Sequence, residues 1–185
     1  ETWVKFKEAK TEEEFLSVLK EMKLAPTYDV VIVNEDGAPE KAAALNVKPV
    51  SLEVLFKECR TVSNHLANNA TTVGSIRGEH FASMLPYATF LNTGRGAQVN
   101  EEDLIEVLTE RPDLMAVLDV TSPEPPVEGS PFYTLPNVVL TPHIAGSLGN
   151  EVRRMGEYML TEFSHYIKGE PCEYEVSEKM LERMA

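Results

Sequence analysis

The sequence predicts a doubly wound, mostly parallel α/β sheet. Two observations carry this. Apolar, β-prone runs recur along the 185 residues with helix-length amphipathic segments between them, and strands separated by helices pair in parallel through right-handed crossovers. One run, over residues 29–34, is continuously β-branched and apolar between its polar ends, as in a strand buried on both faces.

The elements follow in order. Residues 11–23 read as a helix: Thr11 caps it, Glu14 completes a capping box, and Phe15, Val18, Leu19 and Met22 make an apolar stripe before Pro26. The strand over 29–34 comes next, then a short helix over 39–45 and a short strand over 47–50. Ser51 caps a helix reaching Glu58, and residues 61–66 return as a strand. Residues 78–84 are helical and 88–92 a strand. Asn100 caps a further helix, where Glu101, Glu102 and Asp103 suit the positive end of the dipole. Residues 115–120 and 138–140 are strands, and prolines hold the loop over 122–131 extended. Ser147 opens a long last helix, with Val152, Met155, Met159, Phe163 and Ile167 at helical spacing and Gly169 and Pro171 ending it.

Composition narrows the function. The chain is long enough to bury a core but short for two full domains. Its 43% hydrophobic and 25% charged content is that of a soluble globular protein. No apolar run spans a bilayer, and the N-terminus has no signal-peptide layout, so no membrane role is expected. Cys59 and Cys172 lie far apart, which points to neither a disulfide framework nor a metal site and fits a cytoplasmic location. The net charge of −13 argues against nucleic acid. It also means that a pocket for an anionic substrate must carry its own positive charge, and Arg95 and His143 are the evident suppliers.

Three strands each deliver one chemically capable side chain just past their ends: Arg95, Glu124 and His143. In an open α/β sheet that edge is where ligands bind. Arg95 sits between Gly94 and Gly96, which let backbone approach a ligand, and its guanidinium can grip a carboxylate through two parallel hydrogen bonds. His143, in a loop set by Pro142 and Gly146, can give and take a proton near neutrality. Glu124 is the acid that would hold the imidazole charged; as an exposed loop acid it would do nothing. Asp119 closes an apolar strand and is costly to bury without a donor. That donor is either a ligand carboxamide or a backbone amide. His65, His80 and His165 read as structural or cofactor-side groups.

From about Pro39 to Pro171 these runs resemble the nucleotide-binding domain of the D-isomer-specific 2-hydroxyacid dehydrogenases. The stretches carrying the resemblance are residues 40–47, 51–55, 62–66, 91–96, 99–104, 117–125 and 135–143, all in order. The resemblance implies a Rossmann-like fold and an NAD-dependent oxidoreductase that interconverts a small 2-hydroxy acid and its 2-oxo acid, working as a homodimer. Arg95 would bind the substrate, His143 would protonate the carbonyl oxygen and Glu124 would hold the histidine. Thr93, Gly94, Ala145 and Gly146 would line the nicotinamide, Asp119 would take its carboxamide and Leu66 would touch the adenosine half. Glu35 is placed like the family's ribose-binding acid, which favours NAD over NADP.

The departures are equally specific. The sequence lacks the glycine-rich first βα unit with its G-x-G-x-x-G fingerprint, and Ala67-Asn68-Asn69 stands where the family has a proline-leucine pair. The fold is therefore expected to be incomplete, in a truncated dehydrogenase. Residues 1–28 would be a helical segment of other origin, 29–168 the dinucleotide-binding domain, and 169–185 a tail returning to a substrate domain. The alternative is a catalytically inactive cofactor-sensing or partner-binding module.

Overall fold

A computed structural model describes residues 31–32 and 47–181. The helices expected over 11–23 and 39–45, most of the 29–34 strand, and Glu35 lie outside the described residues. The chain separates into two compact units, with the boundary between Ser51 and Leu52. In the first, β1 (Val31–Ile32) pairs in parallel with β2 (Lys48–Pro49).

The second unit holds a four-stranded sheet of β3 (Thr61–Asn64), β4 (Thr89–Asn92), β5 (Met115–Leu118) and β6 (Val138–Leu140), all parallel and in sequence order. Helix α1 (Leu52–Glu58) precedes β3, α2 (Gly78–Ala82) connects β3 to β4, and α3 (Glu101–Glu110) connects β4 to β5. The β5–β6 connection is a loop with one turn of 3-10 helix at Pro131–Tyr133. Helices α4 (Asn150–Lys168) and α5 (Glu178–Leu181) follow; α5 has no counterpart in the sequence-based expectation. The predicted parallel α/β architecture holds, and among the described residues no further strand pairs with β3.

Burial alternates along β3, with Val62 and Asn64 inside and Thr61 and Ser63 outside. Phe90 of β4 meets Phe81 of α2 and Phe56 of α1 with ring centroids 5.0 and 5.9 Å away, and Phe56 lies 5.5 Å from Phe81. Such pairs add about 0.5–1.5 kcal/mol each beyond area burial. Leu104, Val107 and Leu108 of α3 are buried at helical spacing. His80 is buried beside Phe56, and its Nδ1 accepts the Arg77 N–H at 3.0 Å, so it is a structural histidine.

The caps hold the helices where the sequence places them. Asn100 Oδ1 accepts the Asp103 N–H at 3.2 Å. Asp103 does more than suit the dipole: its Oδ2 accepts the N–H of Gly78 at the start of α2, at 2.8 Å. Strand β3 stops at Asn64 rather than Leu66, because the Asn64 side-chain oxygen takes the Leu66 N–H at 3.1 Å and turns the chain out of the ladder. Helix α4 starts at Asn150, after Gly149, rather than at Ser147, and ends as expected at Gly169 in the left-handed region (φ 70°). Its predicted stripe is present but uncovered: Val152, Met155, Met159, Phe163 and Ile167 are each more than half exposed.

Candidate active site

The strand register sets the geometry. Asn92, Leu118 and Leu140 are lateral neighbours across β4, β5 and β6. Arg95, Glu124 and His143 follow three, six and three residues later, so all three leave the sheet at its carboxyl edge.

The β4 loop is built on Asn92, whose Oδ1 accepts the Gly94 N–H at 3.1 Å and whose Nδ2 donates to the Arg95 carbonyl at 3.2 Å. Arg95 has an extended backbone and an exposed side chain, and its Nη1 donates to the Gly94 carbonyl at 2.8 Å. A 3-10 turn, Gly96–Gln98, follows. A Cβ on Gly96 would lie 2.0 Å from the Thr121 carbonyl carbon. This glycine therefore admits the backbone of the neighbouring loop, where the sequence points to a ligand.

Asp119 follows β5 and is buried. Its Oδ1 accepts the Thr141 hydroxyl in a short hydrogen bond and the Ile144 N–H at 2.9 Å, and its Oδ2 accepts the Ala145 N–H at 2.8 Å. Burial pushes the carboxyl up, but the hydrogen bonds from Thr141, Ile144 and Ala145, aided by nearby His143, outweigh it and hold the pKa below the ordinary value. Asp119 thus organises the loop after β6. Its backbone carbonyl also accepts the His143 N–H at 3.1 Å. His143 adopts φ 51°, a left-handed backbone that few non-glycine residues take.

Glu124 Oε1 lies 2.6 Å from His143 Nδ1, with both side chains nearly half exposed. The Glu124 loop is anchored by Glu101 Oε1, which accepts the Ser122 N–H at 2.6 Å; burial pushes the Glu101 carboxyl up against that hydrogen bond. The peptide bonds Ser122–Pro123 and Glu124–Pro125 are cis.

The structure therefore brings Glu124 and His143 into contact. It sets Arg95 on the adjacent loop of the same edge, hydrogen-bonded within that loop rather than to the pair. Thr93 and Gly94 share the Arg95 loop. Ala145 and Gly146 (φ 125°) are exposed and follow His143. Leu66 sits half-buried just beyond β3. Sequence reasoning missed Asn64 and Gln98, two buried amides beneath these loops; strand alternation places Asn64 on the same face as Val62 and was the available signal for it. Among the described residues no group of His, Cys, Asp and Glu could hold a metal ion, and no helix is long and apolar enough to cross a membrane.

Parallel strands with an imidazole–carboxylate pair at their carboxyl edge define an open α/β domain whose ligand site lies at that edge. Residues 16–145 match the NAD-binding domain of the D-isomer-specific 2-hydroxyacid dehydrogenases, and the chain belongs to that family. It is 35% identical over 128 residues to a hydroxypyruvate reductase of Thermotoga maritima, covering 68% of this chain and 41% of that protein. It is 31% identical over 138 residues to the human glyoxylate reductase/hydroxypyruvate reductase, covering 75% and 42%. The crystal structure of the TT0316 protein from Thermus thermophilus superimposes with a TM-score of 0.68 at 33% identity, over 89% of this chain and 51% of that one. The chain thus spans about half the length of these relatives or less.

The described residues fit one end of a dinucleotide. A carboxamide N–H would fit at Asp119, whose Oδ2 accepts a single hydrogen bond, from Ala145, and so keeps a lone pair for a further donor. At the pyrophosphate, the glycine-rich turn on a helix N-terminus is missing from the sequence.

Proposed function

We propose that this chain supplies the acid–base and nicotinamide-side machinery of an NAD-dependent 2-hydroxyacid dehydrogenase, reducing a small 2-oxo acid to the 2-hydroxy acid or running in reverse. The contact between His143 Nδ1 and Glu124 Oε1 carries this reading. With Nδ1–H donated to Glu124, the ring is held in one orientation and Nε2 is the nitrogen left to work on substrate. Nε2–H of the imidazolium gives its proton to the carbonyl oxygen in reduction, and neutral Nε2 takes it back in oxidation. Arg95 grips the substrate carboxylate and polarises the oxo group. The bound cofactor supplies or accepts the hydride.

Thr93, Gly94, Ala145 and Gly146 would line the nicotinamide, with its carboxamide on Asp119, Leu66 on the adenosine side and Glu35 on the ribose hydroxyls, which favours NAD over NADP. We read the protein as cytoplasmic, with residues 29–168 as the cofactor domain and 169–185 leading back toward a substrate domain. The exposed stripe of α4 supports homodimerisation, since so much contiguous apolar surface favours a partner.

The test is NADH binding by calorimetry, followed by NADH oxidation with glyoxylate or hydroxypyruvate. His143→Gln should lower turnover by about 10²–10⁴-fold, as loss of a general acid does, while NADH affinity stays unchanged. Absence of NADH binding, or a His143→Gln variant as fast as the parent, overturns the proposal.

A further inference from the structure

Three carboxamides lie together under the carboxyl edge: Asn64 at the end of β3, Asn92 at the end of β4 and Gln98 in the 3-10 turn, all buried, Gln98 completely. Burying primary amides is costly unless every donor and acceptor is matched. Here each one is. Asn64 Nδ2 donates to Asn92 Oδ1 at 3.0 Å and to Gln98 Oε1 at 2.5 Å. Gln98 Nε2 donates to the carbonyls of Leu66 and Ala67 at 2.6 and 2.9 Å. Asn64 Oδ1 accepts the Leu66 N–H, Asn92 Oδ1 accepts the Gly94 N–H, and Asn92 Nδ2 donates to the Arg95 carbonyl.

The outer contacts are all backbone atoms of two loops. They fix the amide orientations without ambiguity. The N–H groups of Leu66 and Gly94 require oxygens opposite them, and the carbonyls of Leu66, Ala67 and Arg95 require nitrogens. With those settled, the inner contacts become donor to acceptor, and flipping any one amide breaks them. Gly94 rests on the cluster: a Cβ there would lie 3.1 Å from Asn64 Nδ2 and 3.3 Å from Gln98 Oε1.

We infer that Gln98, acting through Asn64, is a positioning residue that ties the Arg95 loop to the Leu66–Ala67 segment, so the substrate-gripping end and the adenosine end of the site move as one piece. Those two assignments rest on the proposed function; the mechanical coupling does not. Gln98 reaches neither ligand. It acts through the backbone that presents Arg95 and through the backbone beside Leu66.

The experiment pairs hydrogen exchange with ligand titration. Gln98→Met keeps the volume and removes every hydrogen bond of the side chain. The amides of Leu66 and of Gly94 should both exchange about tenfold faster, the fold-change that loss of roughly one net hydrogen bond produces. Neither amide bonds Gln98 directly, and the interior of α3 should keep its protection. Oxamate, a 2-oxo-acid analogue, should bind about tenfold more weakly by the same reckoning, and Asn64→Ser should reproduce both effects. Acceleration at Leu66 without Gly94, or uniform acceleration that includes α3, overturns the coupling. Unchanged oxamate affinity alongside loosened loops overturns the positioning role. If the parent protein does not bind oxamate, the proposed function falls and the exchange pattern alone decides the coupling. Should Gln98→Met fail to fold, the side-chain NH₂ groups of Asn64 and Gln98 in the parent protein decide by NMR. Slow exchange supports the cluster, and exchange at the rate of exposed carboxamides refutes it.

Discussion

Replacing Gly96 by alanine isolates a single physical effect. The backbone of Gly96 lies outside the positive-φ region, so alanine meets no conformational penalty and even gains from a stiffer unfolded chain. Space is the only obstacle. The new Cβ would sit 2.0, 2.2 and 2.5 Å from the carbonyl carbon, oxygen and Cα of Thr121. Carbon–carbon contacts are comfortable near about 3.5 Å, so the two loops must part by roughly 1–1.5 Å. The obstructing atoms are backbone, and no rotamer change relieves them. Overpacking costs about 1–3 kcal/mol, occasionally more; rigid backbone on both sides places this case at about 3 kcal/mol or above. With a urea slope of about 2 kcal/mol/M, the midpoint should fall by about 1.5 M. Thr121 lies between Asp119 and Glu124 in the chain, so the shift also separates Arg95 from the Glu124–His143 pair. Gly129→Ala is the matched control. Its φ is +80° with nothing within 4 Å of a Cβ, so it carries strain without collision and should cost only about 1 kcal/mol. Equal midpoints for Gly96→Ala and the parent protein would refute the reasoning.

Three further outcomes are expected. Asp119→Asn turns an acceptor toward the Ala145 N–H into a donor, or leaves Ile144 in the same position, and should cost about 1–3 kcal/mol in denaturant unfolding, with faster amide exchange at Ala145. The bidentate Arg111 guanidinium holds the Asp113 carboxyl at about 2, down from 3.8. A depressed folded-state value means stability present above the ordinary carboxylate pKa and lost as pH falls through about 2; urea midpoints across that window should drop less steeply in Asp113→Asn, and an identical slope counts against the pair. Asn100→Ala removes the cap on Asp103 N–H and should lower the stability by about 1 kcal/mol, read as a shift in thermal midpoint.

Several features were open to reading because they are local. The cap at Asn100, the glycine that ends α4 and the β-prone runs of the sheet depend on neighbours a few residues away. The common edge for Arg95, Glu124 and His143 was legible too, since parallel strands align their ends and each group sits shortly after one. Other features depend on distant chain. Whether Gly96 faces a ligand or Thr121 depends on a loop 25 residues on. Gln98 reads as an ordinary polar residue after an alanine, and only Asn64 of β3 and the loop beyond it give its amide partners. The stripe on α4 shows that an apolar face exists, and periodicity carries no information about what covers it. Asp119 left two donors open on sequence, and its partners in the fold are Thr141, Ile144 and Ala145.

The division of labour within the sheet explains how the Glu124–His143 contact is organised. Arg95, Glu124 and His143 all come from β4, β5 and β6, consecutive strands with direct ladders. The links that set them are contained in the same three strands and their loops, with α3 added: Asn92 under Arg95, Gly96 against Thr121, Glu101 on Ser122, and Asp119 on the His143 loop. Strand β3 lies on the far side of β4 from β5 and β6. The side-chain link from the Arg95 loop across to β3 runs through the amides of Asn64, Asn92 and Gln98. A change confined to the β3 side should therefore leave the imidazole–carboxylate geometry intact, and the Gln98 cluster is the place where it would reach the Arg95 loop.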